Sequence, residues 1–155
     1  ACQSSNIRKG YEVEEMIRDI NAVLDPFDIF RIALVGDNDA FTETLLAEYD
    51  NKLIRLVAVF DFELPKQGLK RTDVNRFYFN ELEKGIKNLG VDLVVLNVPG
   101  TFALQAAEIV VKAGVRGILN LSPVKLNIQG VYIDNMNIIT AIEKAAFFMK
   151  WRQYV

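Results

Sequence analysis

The residues best placed to do chemistry in this 155-residue chain begin at Gly36, where the apolar run Ile32-Ala33-Leu34-Val35 ends in a glycine. A buried strand running into a glycine turn is the opening of a dinucleotide-binding βαβ unit. The three glycines of its G-x-G-x-x-G signature serve a tight turn, close approach of backbone to pyrophosphate, and close packing of helix on strand. Here the first glycine is present, and Asn38 and Phe41 stand at the second and third positions. Asn38 adds a side chain where backbone approach is needed, although asparagine tolerates the left-handed conformation such a turn can require. Asp37 and Asp39 place two carboxylates where a helix N-terminus would otherwise attract an anion, unless both turn out to water. Phe41 replaces a hydrogen with a ring, so helix and strand are expected to stand further apart. The second candidate is Asp61, at the end of Val57-Ala58-Val59-Phe60 and 25 positions after Gly36. A carboxylate there can accept both ribose hydroxyls of NAD and repel a 2′-phosphate. It can also merely cap the turn beyond the strand, and the residue types alone do not choose between the two.

This is the chemistry of binding rather than of bond breaking. The chain has no histidine, a single cysteine at Cys2 and no Tyr-x-x-x-Lys pair, so an oxidoreductase or CoA-linked enzyme lacks its acid, base and nucleophile. The same absences exclude a disulfide framework and the common zinc sites, and no metal is expected. With 51% hydrophobic and 25% charged residues the composition is globular, of a size for one domain with a real core. The net charge of −2 leaves no electrostatic footprint for a nucleic-acid backbone on this part of the protein. No run approaches the roughly 18 apolar residues of a membrane span, and Ala1-Cys2-Gln3-Ser4-Ser5 lacks the apolar centre of a signal peptide, so the expected location is the cytoplasm.

The elements that must position Gly36 and Asp61 follow from apolar periodicity. Tyr11–Leu24 carries a helical stripe through Val13, Met16, Ile17, Ile20, Val23 and Leu24, expected to lie on the main body until Asp25-Pro26 stops it. Strands are expected at Phe30–Val35, Leu53–Phe60, Phe77–Phe79, Val91–Val98, Val115–Leu119 and Val131–Ile133. Between them fall helices at about Ala40–Tyr49, at Glu81–Leu89 capped by Asn80 and ended by Gly90, and from a Thr101 cap to Ala113, ended by Gly114. Strands apolar on both sides and alternating with helices predict a doubly wound, Rossmann-like α/β fold, a parallel sheet with helices on both faces. The last segment, Ile138–Met149, is apolar almost all round, with only Glu143 and Lys144 charged. Such a helix either packs deep in its own domain or is covered by a second subunit, and a dimer is the expectation.

Taken together, Gly10-Tyr11-Glu12-Val13, Ile32–Gly36, Val57–Asp61, Val91-Asp92-Leu93 with Val98-Pro99, and above all Ala113-Gly114-Val115-Arg116-Gly117-Ile118-Leu119-Asn120-Leu121-Ser122-Pro123-Val124 resemble the Rex redox-sensing transcriptional repressors. The similarity runs from about Gly10 to Phe148. It implies a homodimer with an N-terminal winged-helix DNA-binding domain and a C-terminal Rossmann domain of the CoA-binding type, which senses the NADH/NAD ratio and exchanges its last helix between subunits. Residues 1–9 would then be a linker or the remnant of a winged-helix domain absent from this chain, and 10–155 the sensor and dimerisation domain. Carried over residue by residue, the resemblance implies cofactor contacts at Gly36, Asn38, Asp39, Asp61, Val98, Pro99, Asn120, Leu121 and Pro123. The family's aspartate and following apolar residue, which approach the partner's nicotinamide pocket, fall on Asn137 and Ile138, with Ile142 one turn further along the same helix. A second reading stays open, a dimerisation module whose nucleotide site has decayed or changed.

Overall fold

The run Phe30–Val35 forms β1, and its alternating side chains enter two different cores. In the computed structural model, which describes residues 13–16, 18, 29–36, 39–49, 53–62 and 74–153, it is followed by β2 (Ile54–Asp61), β3 (Asn75–Tyr78), β4 (Leu93–Leu96), β5 (Gly117–Asn120) and β6 (Tyr132–Asn135). All are parallel, in the order β3-β2-β1-β4-β5-β6. The helices are α1 (Asp39–Glu48), α2 (Leu82–Leu89), α3 (Gly100–Lys112) and α4 (Ile138–Gln153), with a short 3-10 turn at Phe79–Glu81.

Ala33 and Val35 of β1 join Ala58, Phe60, Val94, Leu96 and Ile118 under Leu82 and Ile86 of α2 and Ala103, Ala106, Ala107 and Val110 of α3. Ile32 and Leu34 point the other way, with Leu56, Val59 and Val95, against Phe41, Leu45 and Leu46 of α1. Apolar side chains on both faces are what a sheet covered on both sides requires, and each fully buried Leu, Val or Phe contributes about 1.5–3 kcal/mol. The expected Rossmann-like class is therefore the observed one. Phe41, at the place of the third motif glycine, packs its ring into this second core.

Several boundaries differ from the expectation. Asn80 does not cap a helix. It lies inside the 3-10 turn, where the Tyr78 N–H donates to Glu81 Oε2 at 3.3 Å, and α2 starts one residue after Glu81. Nor does Thr101 cap α3, which already begins at Gly100 with Pro99 as its N-cap and no capping side chain, the Phe102 N–H donating instead to the Pro99 carbonyl at 2.9 Å. At the other end of α2, Gly90 adopts the left-handed conformation (φ 60°) and donates back to the last turn, as expected of a glycine stop. The strands β3, β5 and β6 are shifted by one or two residues because pairing with a neighbour, not apolarity, sets where each one starts. Of the N-terminal helix, 13–16 and 18 are helical, with Val13 and Met16 exposed. The rest of Tyr11–Leu24 lies outside the described residues.

The two readings of α4 now separate. It runs on to Gln153, and its large apolar side chains are open to solvent, Ile138 at 67%, Phe147 at 62% and Trp151 at 60% exposure. Burial deep within its own domain is thus excluded.

Candidate nucleotide site at the carboxyl edge of the sheet

Strand order reverses between β1 and β4, and in open α/β sheets ligands bind in the crevice beyond the carboxyl ends of the strands at such a reversal. Gly36 follows β1 there. Its N–H donates to the Phe60 carbonyl at 2.8 Å, its φ is +94°, and a Cβ would run into the carbonyl oxygen of Asn97 in the segment after β4. Only glycine satisfies both the positive φ and that close approach. Val98 is buried beside this turn, and Pro99 opens α3. Asn38 and the side chain of Asp39 lie outside the described residues; the backbone of Asp39 starts α1.

Asp61 ends β2 on the neighbouring strand, in register with Tyr78 of β3. Its Oδ1 accepts the Phe62 N–H at 2.7 Å, and no other partner for the carboxylate occurs among the described residues. The turn cap and the ribose contact, which the residue types alone could not separate, are therefore compatible: one oxygen holds the turn while the other has no partner among the described residues. Beyond Asp61, the rings of Phe62, Phe79 and Phe102 meet, although they come from three elements far apart in sequence. Reading along the chain missed them. The one signal was an aromatic directly after the strand-end aspartate.

Asn120 occupies the other side of the edge, but in a different role from a direct contact. It is 1% exposed, and its Nδ2 donates to the Val124 carbonyl at 2.7 Å and to Asn135 Oδ1 at 2.8 Å. Its Oδ1 accepts from Ser122 N at 3.0 Å and Ser122 Oγ at 2.6 Å. These bonds use the full capacity of a side-chain amide, two donors and two lone pairs. Asn120 therefore shapes the turn through Pro123 while Leu121 N–H donates to the Leu96 carbonyl at 2.8 Å, holding that turn against β4. Replacing Asn120 with alanine orphans several buried groups, so a loss of about 2–4 kcal/mol is expected by urea denaturation. A loss below about 1 kcal/mol would show that this network contributes little.

The turn connects onward to α4. Asn137 Nδ2 donates to the Pro123 carbonyl at 3.3 Å, and its Oδ1 accepts the Ile139 N–H at 2.9 Å, which makes Asn137 the N-cap of α4. Ile138 and Ile142 are exposed on that helix, and Leu121, Val124, Met136, Ile138 and Ala141 line a cleft of about 650 Å³ between the turn and the helix. Among the described residues, no group of His, Cys, Asp and Glu could hold a metal ion, and no helix is long and apolar enough to cross a membrane.

Residues 29–124 match the family described as the CoA binding domain, which spans every strand-end residue from Gly36 to Pro123. The chain belongs to the CoA binding domain family. Within it, the sequence is homologous to redox-sensing transcriptional repressors named Rex. It is 30% identical over 145 residues to that of Exiguobacterium sibiricum, covering 91% of this chain and 65% of the relative. To that of Limosilactobacillus reuteri it is 27% identical over 143 residues, covering 91% and 67%. The chain thus spans about two thirds of the length of these relatives. Among solved structures, the fold is similar to RSP in complex with β-NAD+ and operator DNA, with a TM-score of 0.74 at 20% identity, covering 92% of this chain and 66% of that one. RSP in complex with β-NADH gives a TM-score of 0.71 at 21% identity, covering 96% and 73%. RSP is a Rex-family repressor, and these likenesses establish for this CoA binding domain the Rossmann-like fold of such repressors.

Proposed function

We propose that this chain is the NAD(H)-responsive sensor and dimerisation domain of a redox-sensing transcriptional repressor. The observation that carries the reading is the placement of Gly36 and Asp61 at the carboxyl ends of neighbouring strands, β1 and β2, beside the reversal of strand order. Gly36 keeps the tight turn at the end of β1, packed against Asn97, and one oxygen of the Asp61 carboxylate has no partner among the described residues and can meet a ribose diol. The bound nucleotide would supply its redox state as a signal. The relatives' description as redox-sensing repressors supports the reading. Retention of Gly36 and Asp61 weighs against a dimerisation module with a decayed site.

The chain's part in the response is conformational, not catalytic. Gly36, Asp61, Val98 and Pro99 hold the ligand at the sheet edge, the Asn120 turn links that edge to the cap of α4, and α4 packs against a second copy of the chain. The exposed Ile138, Ile142, Phe147 and Trp151 favour such a dimer. Operator DNA would be read by a winged-helix domain outside these residues, and a change in subunit arrangement would alter the spacing of two such domains. For this to work, the ligand must bind the two arrangements with different affinity. Titration with NADH followed by nicotinamide fluorescence is expected to saturate in the micromolar range, and no binding of NADH or NAD at millimolar concentration would refute the sensor.

A further inference from the structure

Of the three phenyl rings beside Asp61, Phe79 packs against the core, whereas Phe62 and Phe102 lie outside it. Phe62 leaves the end of β2, Phe79 opens the 3-10 turn after β3, and Phe102 sits in the first turn of α3. Phe62 and Phe79 stack with centroids 4.5 Å apart and planes 22° from parallel, and Phe62 and Phe102 meet at 5.1 Å and 43°. Both Phe62 and Phe102 remain 41% exposed. Phenyl rings that touch one another but keep nearly half their surface in water leave apolar area for a further flat partner.

What that partner is follows from the neighbouring carboxylate. The Phe62 N–H is held by Asp61 Oδ1 at 2.7 Å, so ring and carboxylate are fixed to one another across a single peptide unit. A ligand that offers a diol to Asp61 and an aromatic face to Phe62 is a nucleoside, and the adenosine half of NAD(H) is such a ligand; the matched residues 29–124 contain all three rings. We propose that Phe62, Phe79 and Phe102 form the platform on which the adenine ring of the bound nucleotide stacks, so that this chain takes much of its affinity from the adenosine half of its ligand. The platform rests on the reading that the sheet edge holds NAD(H). It gives a physical reason why the site tolerates Asn38 and Phe41 at two of the motif glycines: recognition weakened at the pyrophosphate is offset at the base.

Base-on-aromatic stacking is strong enough for its loss to be read as a fold-change of about ten or more in affinity. The test is calorimetric titration of the full chain and of a Phe62→Leu/Phe102→Leu variant with ADP-ribose and with reduced nicotinamide mononucleotide. Leucine keeps the apolar volume and removes the π face. The expected result is that the parent binds ADP-ribose and the variant loses about tenfold or more, while the weaker binding of the mononucleotide, which has no adenine, is unchanged. Equal ADP-ribose affinity in parent and variant overturns the platform and leaves the NAD(H) reading standing. A parent that binds neither ADP-ribose, NAD nor NADH overturns the NAD(H) reading, and the platform with it. If the double variant does not fold, transferred NOEs in the parent decide: cross-peaks from adenine H2 and H8 to phenylalanine ring protons support the platform, and their absence in an ADP-ribose complex overturns it.

Discussion

Replacing Asp61 with alanine lowers NADH affinity by about 10- to 100-fold and leaves the subunits associated. A carboxylate bonded to two hydroxyls contributes charge-assisted bonds of about 1.5–3 kcal/mol each, part of which is offset because the free carboxylate is already hydrated. The effect on folding is smaller, since the variant gives up one bond, the 2.7 Å contact of Oδ1 with Phe62 N–H, worth about 1 kcal/mol. Asp61→Asn separates the two contributions: an amide oxygen can still hold Phe62 but no longer carries the charge. Both variants are also expected to discriminate less against a 2′-phosphorylated dinucleotide, because the repelling charge is gone. Nicotinamide fluorescence measures the affinity, and sedimentation velocity measures the assembly. Asp61→Ala binding NADH as tightly as the parent would show that the ribose assignment is wrong.

Ending the chain before Asn137 is expected to abolish dimerisation. The helix that is lost exposes Ile138, Ile139, Ile142, Phe147, Phe148, Met149 and Trp151, each more than half open to solvent in the single chain. Burying side chains of this kind contributes about 1.5–3 kcal/mol each, so the set supplies on the order of 10 kcal/mol. That is comparable with the roughly 4–15 kcal/mol that association costs in lost freedom, enough to hold a dimer once the facing surface of the second copy is counted. The parent is therefore expected to sediment as a dimer at micromolar concentration, and the truncated chain as a monomer. Ile142→Glu, which keeps the helix and places a charge in its apolar surface, is expected to shift the same equilibrium without removing the N-cap at Asn137. A monomeric parent at 100 µM, about a hundred-thousandfold above a nanomolar Kd, would exclude α4 as a subunit contact.

Much of this was legible in the residues themselves, for definite reasons. The apolar run into Gly36 and the one into Asp61 declare themselves as central strands because both faces of a doubly covered sheet must be apolar. Gly90 declares a helix end because a left-handed cap suits glycine above other residues. The misplaced caps have an equally definite cause. Asn80 and Thr101 have the right side chains, but Glu81 reaches back to the Tyr78 N–H and Pro99 brings the chain into α3 two residues early. Asn120 was legible as a member of the ligand edge, yet not as a residue whose amide is fully occupied, because its partners Val124 and Asn135 are set by the path of the chain after β5. The rings of Phe62, Phe79 and Phe102 come together only through the parallel pairing of β2 with β3 and the start of α3, which no local pattern records.

The attachment of α4 has a mechanical consequence. A helix of 16 residues is a rod about 24 Å long, and this one is gripped at its foot, where Asn137 ties it to the Pro123 carbonyl. Pivoting such a rod by roughly 10° about that foot carries its far end, with Trp151, through on the order of 4 Å, close to the span of one helical turn. In the proposed response the Asn120 turn would be the fulcrum of this lever, carrying a small shift at the strand ends to the aromatic side chains at its far end.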